Sequence, residues 1–113
     1  MKKTIVTDHP MPVDDGAFKA DEYKPRWALL PHDALEEVVD VLTYGAGKYG
    51  DRNWEKGMAY SRPFSALMRH VWAWWGGETH DRETGLSHLA HAICCLMFLL
   101  SYELRRNGKD DRP

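Results

Sequence analysis

Several features that would assign this sequence of 113 residues to a class of protein are missing. It has no apolar run near the roughly 20 residues that cross a bilayer, so we expect no contact with a membrane. Its charges are nearly balanced, with 15 Lys and Arg against 17 Asp and Glu, and no basic run occurs. Nucleic acid polymers are therefore not expected partners.

Cysteines are few, and an export signal is not recognisable. The two cysteines, Cys94 and Cys95, are adjacent in the sequence and cannot easily bridge each other. The first residues carry basic charge but no continuous apolar segment, so they do not resemble a signal peptide. Together these features predict reduced thiols and a cytoplasmic protein.

The common catalytic and nucleotide-binding signatures are absent as well. The sequence contains no GxSxG, P-loop, GxGxxG or HExxH motif. Its length and lack of internal repeats predict one domain, residues 24–106, between an extended arm at 1–23 and a charged tail at 107–113. Thr4 to Val6 is the one strand-like stretch of the arm, and we expect the tail to fray.

The segment from Ser87 to Glu103 is the element around which we expect the chain to pack. Residues 89–100 are apolar at every position except His91 and include no Gly, Pro or charged residue. A helix that is apolar on all sides is normally surrounded by protein, so we predict a central core helix capped by Ser87. One polar seam remains on it, formed by His88, His91, Cys95 and Tyr102.

Two further helices are predicted, which makes the fold all-α. The first follows Pro31, has the capping-box spacing at Asp33 and Glu36, and extends towards Tyr49. Its predicted buried stripe is Leu35, Val38, Val39 and Leu42. The second covers 61–75, with Ser61 as its cap. Its predicted stripe is Phe64, Leu67, Met68, Val71 and Trp75.

Three carboxylates of the first helix, Glu36, Glu37 and Asp40, are candidate metal ligands. Glu37 and Asp40 stand three residues apart, so they share one helix face and can hold a divalent ion between them. Oxygen ligands of this kind suit Mg²⁺ or Mn²⁺, and those ions suit phosphate chemistry. The alternative is a solvated face, since acidic residues in a first helical turn are favoured by the helix dipole.

Cations and aromatic residues near the helix ends are candidate nucleotide ligands. An Arg can bind phosphate with two hydrogen bonds, and an indole can stack on a base. The candidates are Lys24, Arg26, Trp27, Lys48, Tyr49, Arg52, Asn53, Trp54, Arg69 and His70. The alternative is an ordinary solvated loop at 48–58 with Trp54 in the core.

His88 and His91 form a second candidate metal pair. Neutral imidazole suits Zn, Fe, Mn or Ni, but a histidine in an apolar helix is as readily a hydrogen-bonded core residue. His70 is a candidate further ligand. Asp81 and Glu83 lie in the loop before the central helix and are either ligands or turn residues.

Two long segments resemble a family of small phage-associated proteins described as dATP/dGTP diphosphohydrolase domain proteins, which are similar to all-α MazG-like nucleotide pyrophosphohydrolases. The segments are KPRWALLPHDALEEVVDVLTYGAGKYGDRNWEKGM at 24–58 and RHVWAWWGGETHDRETGLSHLAHAICCLMFLL at 69–100. The resemblance covers roughly residues 23–106. It implies a Mg²⁺-dependent domain, usually a homo-oligomer, that cleaves a nucleoside triphosphate to the monophosphate and pyrophosphate.

In the MazG-like enzymes an E-E-x-x-E/D helix and a later E-x-x-D helix hold the metals. Glu36, Glu37 and Asp40 match the first motif, whereas the place of the second is occupied by His88-Leu-Ala-His91. The resemblance therefore implies Glu37 and Asp40 as ligands, with Glu36 as a further ligand or as the base that activates water.

The sequence thus predicts a metal-dependent purine deoxynucleoside triphosphate pyrophosphohydrolase that forms a homodimer or homotetramer. Phage encoding would place it in the cytoplasm of a bacterial host. Two alternatives stay open at this point. One is a protein that sequesters a nucleotide without cleaving it, and the other is a small interaction module whose aromatic residues only pack subunits.

Overall fold

Three α-helices form the regular structure in the computed structural model, which describes residues 16–20 and 22–113. They are α1 (His32–Tyr49), α2 (Ser61–Trp75) and α3 (His88–Arg105), with short 3-10 helices at Trp27–Leu29 and Asn53–Lys56. The described residues contain no strand, only isolated bridges, which confirms the all-α prediction. The strand-like stretch Thr4 to Val6 lies outside the described residues.

The chain divides into two units, residues 1–30 and 31–113, and each is considered by itself. In the first, the 3-10 turn Trp27–Leu29 buries none of its side chains. In the second, α3 packs against both α1 and α2, as its apolar sequence predicts. None of the described helices has both the length and the apolar character required to cross a bilayer.

The start of α1 differs from the prediction. The helix begins directly after Pro31, which is its N-cap residue, so Asp33 lies inside the first turn. Its carboxylate accepts only from the neighbouring Ala34 N–H, at 2.7 Å. Glu36 does not complete a capping box because its carboxylate pairs with His32 at 2.9 Å. The capping-box prediction is therefore wrong.

The face of α1 that is buried also differs in part. Val38 and Val41 pack against Ala90 and Cys94 of α3, and Leu42 flanks them. Leu35 and Val39, which were predicted to be buried, are 40% and 49% exposed. The buried stripe of α1 is thus centred nearer Val41 than predicted. The small Ala90 side chain of α3 lies against this side, which allows α1 and α3 to approach each other.

Helix α2 has the predicted bounds but a different cap. Tyr60 is its N-cap residue, and the Ser61 N–H donates to the Asp111 carboxylate at 2.9 Å. The Ser61 hydroxyl donates to the same carboxylate at 2.5 Å. The carboxylate of Asp111 therefore caps the N-terminus of α2, the role that the sequence predicted for Ser61.

The tail is ordered up to this contact, so the prediction that it frays is wrong. Asn107 donates its side-chain N–H to the Glu55 carbonyl at 2.7 Å, and the backbone of Lys109 pairs with that of Met58 and Tyr60. Gly108 makes this possible, since a Cβ atom there would lie 2.7 Å from the Met58 carbonyl oxygen.

Helix α3 is capped as predicted, since the Ser87 hydroxyl accepts from the Ala90 N–H at 3.2 Å. Its buried positions are His88, Ala90, Ala92, Cys94 and Tyr102. A single chain does not cover α3 on all sides, contrary to the expectation from its apolar sequence. Leu96, Leu100 and Leu104 are 51%, 55% and 60% exposed, which leaves an apolar face in contact with solvent.

Candidate functional site

Three side chains from separate parts of the second unit converge on one point, here called the His–Asp cluster. It consists of His70 near the middle of α2, Asp81 in the loop at 76–87, and His88 at the start of α3. The Nδ1 atoms of His70 and His88 are 2.9 Å apart, and Asp81 Oδ1 is 4.0 Å from His70 Nδ1. One ligand atom from each residue lies within 4.8 Å of the other two.

The loop places Asp81 through its own backbone. Asp81 Oδ2 accepts from the N–H groups of Glu83 at 3.1 Å and Thr84 at 2.9 Å. The Asp81 N–H donates to the Leu86 carbonyl at 2.8 Å, which closes the loop. Gly85 supports the turn with a φ of +75°, a value that glycine adopts without strain. Asp81 Oδ2 is thus occupied, and Asp81 Oδ1 is directed towards the histidines.

The His88 ring is fixed by a hydrogen bond at Nε2, the ring nitrogen that does not face His70. Its Nε2 lies 2.7 Å from Glu78 Oε1, so Nε2 carries the proton and donates to the carboxylate. Arg82 Nε donates to the second oxygen, Glu78 Oε2, at 2.7 Å. With the proton on Nε2, a neutral His88 ring presents a lone pair at Nδ1, the atom that faces His70.

His91 lies one turn further along α3 and packs against the cluster. Its ring stacks on His70 with centroids 4.4 Å apart and planes 4° from parallel. Its Nε2 is 2.8 Å from the Thr84 hydroxyl. His91 thus fixes the plane of the His70 ring and does not belong to the converging group of the described residues.

The local environment favours neutral rings at His70 and His91 and anionic carboxylates at Asp81 and Glu78. Burial lowers the pKa of His70, and the nearby His91 lowers it further. Burial also lowers the pKa of His91. Burial alone would raise the pKa of Asp81, but hydrogen bonds from Thr84 outweigh it and leave the pKa below its ordinary value. The hydrogen bond from His88 lowers the pKa of Glu78.

This arrangement can hold a metal ion. Two neutral imidazoles and one carboxylate are ligands that divalent metals use in proteins. His70 and Asp81 keep 17% and 19% of their side-chain surface exposed, so the cluster is open to solvent on one side. The alternative use of the same atoms is a hydrogen bond from His70 Nδ1–H to His88 Nδ1.

The carboxylates predicted as metal ligands lie elsewhere. Glu36, Glu37 and Asp40 are exposed on α1, and Glu36 is paired with His32. Within the described part of the chain, they do not meet a third ligand group in the way that His70, Asp81 and His88 do. Metal binding by these three carboxylates stays a prediction.

The predicted phosphate ligands of the second unit lie on different elements, α1, α2 and the segment between them. The Lys48 ammonium pairs with Glu83 at 3.3 Å, and its pKa is raised by the neighbouring Tyr49 and by Glu83. Arg52 is exposed, with a left-handed backbone (φ 57°), and its Nε is 4.0 Å from Glu55. Arg69 is exposed on α2, and Asn53 begins the 3-10 turn.

The aromatic candidates differ in how much ring surface is open. Trp54 stacks on Phe98 with centroids 5.1 Å apart, and the Arg105 guanidinium lies 4.9 Å from its ring. Tyr49 is exposed. In the first unit, Lys24, Arg26 and Trp27 are all exposed. Tyr49 and Trp27 therefore have ring faces available for a base, whereas Trp54 contributes to packing.

Sequence reasoning missed Glu78 and Arg82. Both lie in the polar loop at 76–87 and line a shallow depression of about 540 Å³ together with Trp72 and the glycines at 76 and 77. A signal was present, since this loop is rich in acidic residues and joins two helices that carry histidines. What the sequence could not show is that Glu78 bonds His88, ten positions away.

The cysteines do not supply a nucleophile. Burial raises the pKa of the Cys94 thiol to about 12, and burial also raises the pKa of Cys95. Both are free, as the sequence predicts. Because the thiolate is the reactive form, these side chains act in packing, with the Cys94 thiol 3.6 Å from the Val38 carbonyl oxygen.

The chain belongs to the family described as dATP/dGTP diphosphohydrolase, N-terminal, which matches residues 14–112. It is 40% identical over 95 residues to a protein of Salmonella phage PMBT28 named dATP/dGTP diphosphohydrolase. That match covers 84% of this chain but 32% of the phage protein, so the chain spans about a third of that relative's length. No solved structure matches the chain.

Proposed function

We propose that this chain acts in the metal-dependent hydrolysis of purine deoxynucleoside triphosphates to the monophosphate and pyrophosphate. The observation that carries the proposal is the family match over residues 14–112, together with the name of the phage relative. Water would cleave the bond between the α- and β-phosphates. The hydroxyl would add to the α-phosphorus, the remaining proton of the water would pass to a base, and pyrophosphate would leave with the bridging oxygen.

The proposed cofactor is Mg²⁺ or Mn²⁺, held by Glu37 and Asp40. Both carboxylates are exposed, and neither has an ion-pair partner within residues 31–113. Unpaired carboxylates on one helix face suit a hard divalent ion, which would supply charge neutralisation at the phosphates. Glu36 would serve as a further ligand or as the base for water, and would then exchange its contact with His32 for that role.

Binding of the triphosphate would fall to the cations near the end of α1 and on α2. Lys48, Arg52 and Arg69 each carry a charge that can neutralise phosphate oxygens. Lys48 would leave Glu83 to do so, a small cost because exposed ion pairs contribute little. Asn53 is an additional candidate in residues 31–113. In residues 1–30, considered by themselves, Lys24 and Arg26 stay predicted nucleotide ligands.

Recognition of the purine would use an open aromatic face. Tyr49 and Trp27 are both more than half exposed, and an aromatic ring can stack on any base. Trp54 is the weaker candidate because its ring is already stacked on Phe98.

We further propose that a second copy of the chain covers the apolar face of α3, giving a homodimer or a homotetramer. Large apolar side chains recur on this helix at a spacing of three and four residues, the pattern of a helix-packing seam. They are Leu89, Ile93, Leu96, Met97, Leu100 and Leu104, each at least 39% exposed in the single chain. A patch of this kind is uncommon on a monomer, and a twofold dimer would pair α3 with itself.

The two free thiols, Cys94 buried and Cys95 half-buried, fit a reducing compartment. We therefore propose that the protein works in a cytoplasm, that of a bacterial host if a phage encodes it, where cysteines stay reduced.

A second function is favoured by one observation, the partial coverage of the relative. Because this chain matches 32% of the phage protein, the matched part could bind a nucleotide while cleavage in that relative depends on its other residues. In that case this chain would sequester a nucleotide without hydrolysing it, using the same cations and aromatic faces.

The experiment is to incubate the purified full chain with each of the eight common nucleoside triphosphates and either Mg²⁺ or Mn²⁺, and to separate the products. Release of pyrophosphate from dATP or dGTP supports the hydrolase. Retention of an intact nucleotide, seen by mass spectrometry of the purified protein, without any product supports sequestration. If the assay finds no product and the purified protein holds no nucleotide, both the hydrolase and the sequestration proposals are contradicted.

A further inference from the structure

We propose that His70, Asp81 and His88 bind one divalent transition-metal ion. This site is distinct from the α1 carboxylates, because it is built from α2, α3 and the loop between them. It goes beyond the hydrolysis proposed above, since ion binding at these atoms does not depend on whether the chain cleaves a nucleotide.

The spacing of the ligand atoms fits a six-coordinate ion. The His70 and His88 Nδ1 atoms are 2.9 Å apart, near the roughly 3.0 Å between neighbouring ligands of an octahedral ion with bonds of about 2.1 Å. A tetrahedral ion would separate them by roughly 3.4 Å. Asp81 Oδ1 is 4.0 Å from His70 Nδ1, near the roughly 4.2 Å expected for ligands on opposite sides. Both distances are compatible with one ion bound by all three residues, whose ligand atoms lie within 4.8 Å of one another.

Two of the three ligands are already oriented by partners that do not compete with the ion. The proton on His88 Nε2 is committed to Glu78, so the lone pair at Nδ1 points into the cluster. This is the carboxylate–histidine–metal arrangement found at protein metal sites. Asp81 Oδ2 is committed to two backbone N–H groups, which leaves Asp81 Oδ1 free.

The third ligand, His70, is positioned by stacking. His91 lies parallel to it at 4.4 Å and is itself held by the Thr84 hydroxyl at 2.8 Å. The same loop residue, Thr84, therefore holds Asp81 through its N–H and His91 through its hydroxyl. His91 is a positioning residue for the site and not a ligand.

The ligand types select a transition metal over Mg²⁺. Mg²⁺ prefers an all-oxygen set and keeps most of its water, whereas two imidazoles with one carboxylate suit Mn²⁺, Fe²⁺, Co²⁺, Ni²⁺ or Zn²⁺. Three protein ligands also leave coordination positions open on the exposed side of the cluster. Those positions are available to water or to an oxygen of a phosphate.

The test uses the metal-stripped full chain carrying Glu37→Gln and Asp40→Asn, so that α1 carboxylates do not contribute. Co²⁺ is added while its visible absorption is followed. We expect one bound ion per chain. Adding Asp81→Asn should weaken Co²⁺ binding at least about a hundredfold, since even outer partners of metal ligands contribute roughly 10–100-fold. The amide oxygen introduced by Asp81→Asn can still accept from the two loop N–H groups, so the loop should keep its fold.

The matched control is His32→Asn, which removes an exposed histidine on α1 and should leave Co²⁺ binding unchanged. A second measurement needs no variant at the cluster. With Zn²⁺ added to the same chain, the ¹⁵N resonances of His70 and His88 Nδ1 should shift, while those of His32 and His80 should not. Absence of a bound ion, equal binding by Asp81→Asn, or unshifted Nδ1 resonances would each overturn the proposal. The His70–His88 contact would then be a hydrogen bond only.

Because the α1 carboxylates are replaced in this test, its outcome is independent of the proposed hydrolysis. If the chain carrying only Glu37→Gln and Asp40→Asn binds no Co²⁺ while the wild type cleaves a nucleotide, the metal site alone is contradicted. If that chain binds Co²⁺ as expected while the wild type cleaves no nucleotide, the hydrolase alone is contradicted.

Discussion

The hydroxyl of Tyr102 donates a hydrogen bond to the backbone carbonyl of Trp54 at a distance of 2.7 Å. Tyr102 has no exposed surface, and burial raises the pKa of its hydroxyl. Its ring also stacks on Tyr60, with centroids 6.2 Å apart. This one side chain on α3 therefore anchors the 3-10 turn at Asn53–Lys56 and the segment that enters α2.

Replacing Tyr102 with Phe should destabilise the protein by about 0.5–1.5 kcal/mol, the net contribution of one hydrogen bond. The ring would stay in place and the Trp54 carbonyl would lose the Tyr102 donor, but it would still accept from the Gly57 N–H at 3.0 Å. Urea unfolding followed by tryptophan fluorescence measures the change. Tyr44→Phe is the matched control, because Tyr44 is 40% exposed, and it should shift the midpoint little. Equal midpoints for the two variants would contradict the anchoring role.

The cap that Asp111 provides for α2 should depend on pH. Hydrogen bonds from Ser61 lower the pKa of Asp111 below its ordinary value of 3.8. A carboxylate with a lowered pKa in the folded state stabilises the protein above its unfolded pKa and loses that effect as the pH falls through the folded pKa. Asp111→Asn should therefore lower the melting temperature at pH 5–7, and the difference from wild type should shrink below about pH 3.8.

Asp110→Asn is the control for this effect. Arg112 lowers the pKa of the Asp110 carboxylate to about 2, but the two residues are only two positions apart, so the unfolded chain can form the same exposed pair and little of the shift stabilises the fold. Its replacement should leave the melting temperature nearly unchanged at neutral pH. A gap between Asp111→Asn and wild type that stays constant down to about pH 3 would show that the charge of Asp111 is not what caps the helix.

The carboxylates of α1 should matter for rate and not for stability. If the chain hydrolyses nucleotides as proposed, Glu37→Gln and Asp40→Asn should each reduce turnover at least about a hundredfold, equivalent to about 3 kcal/mol of barrier. Their melting temperatures without metal should change little, as for other exposed helix positions. Steady-state kinetics and thermal melts on the same samples test both statements.

Asp33→Asn is the matched control, an exposed carboxylate on the same helix that bonds only its neighbour Ala34. It should keep wild-type turnover. Normal turnover by the Glu37 and Asp40 variants would mean that these acids form a solvated face.

Leu100→Lys should dissociate the proposed oligomer. Leu100 belongs to the exposed apolar face of α3 and is 55% exposed in one chain, so a charge there would be buried in a dimer but solvated in a monomer. Sedimentation at tens of micromolar should show a dimer or tetramer for wild type and a monomer for the variant. Leu29→Lys, at a similarly exposed leucine outside α3, should not change the assembly. A monomeric wild type would refute the oligomer directly.

The sequence by itself determined the features that depend on neighbouring residues. The bounds of α2, the Ser87 cap of α3 and the absence of strands in the described residues follow from apolar spacing and from side chains three residues apart. These are local effects, because a helix is closed by hydrogen bonds within one turn. Sequence reasoning also singled out His88 and considered His70 and Asp81 as ligands without being able to place them together.

Tertiary structure decided what depends on distant residues. The buried stripe of α1 is centred towards Val41 instead of Val39. The apolar residues of α1 form two overlapping stripes, and the position of α3 decides which of them is buried. The cap of α2 comes from Asp111, fifty positions beyond Ser61. His70 and His88 meet although eighteen positions separate them, since the loop at 76–87 is folded back by hydrogen bonds to Asp81. Spacing along a chain predicts which side chains share a helix face, but contacts across elements arise only when packing has fixed where those faces lie.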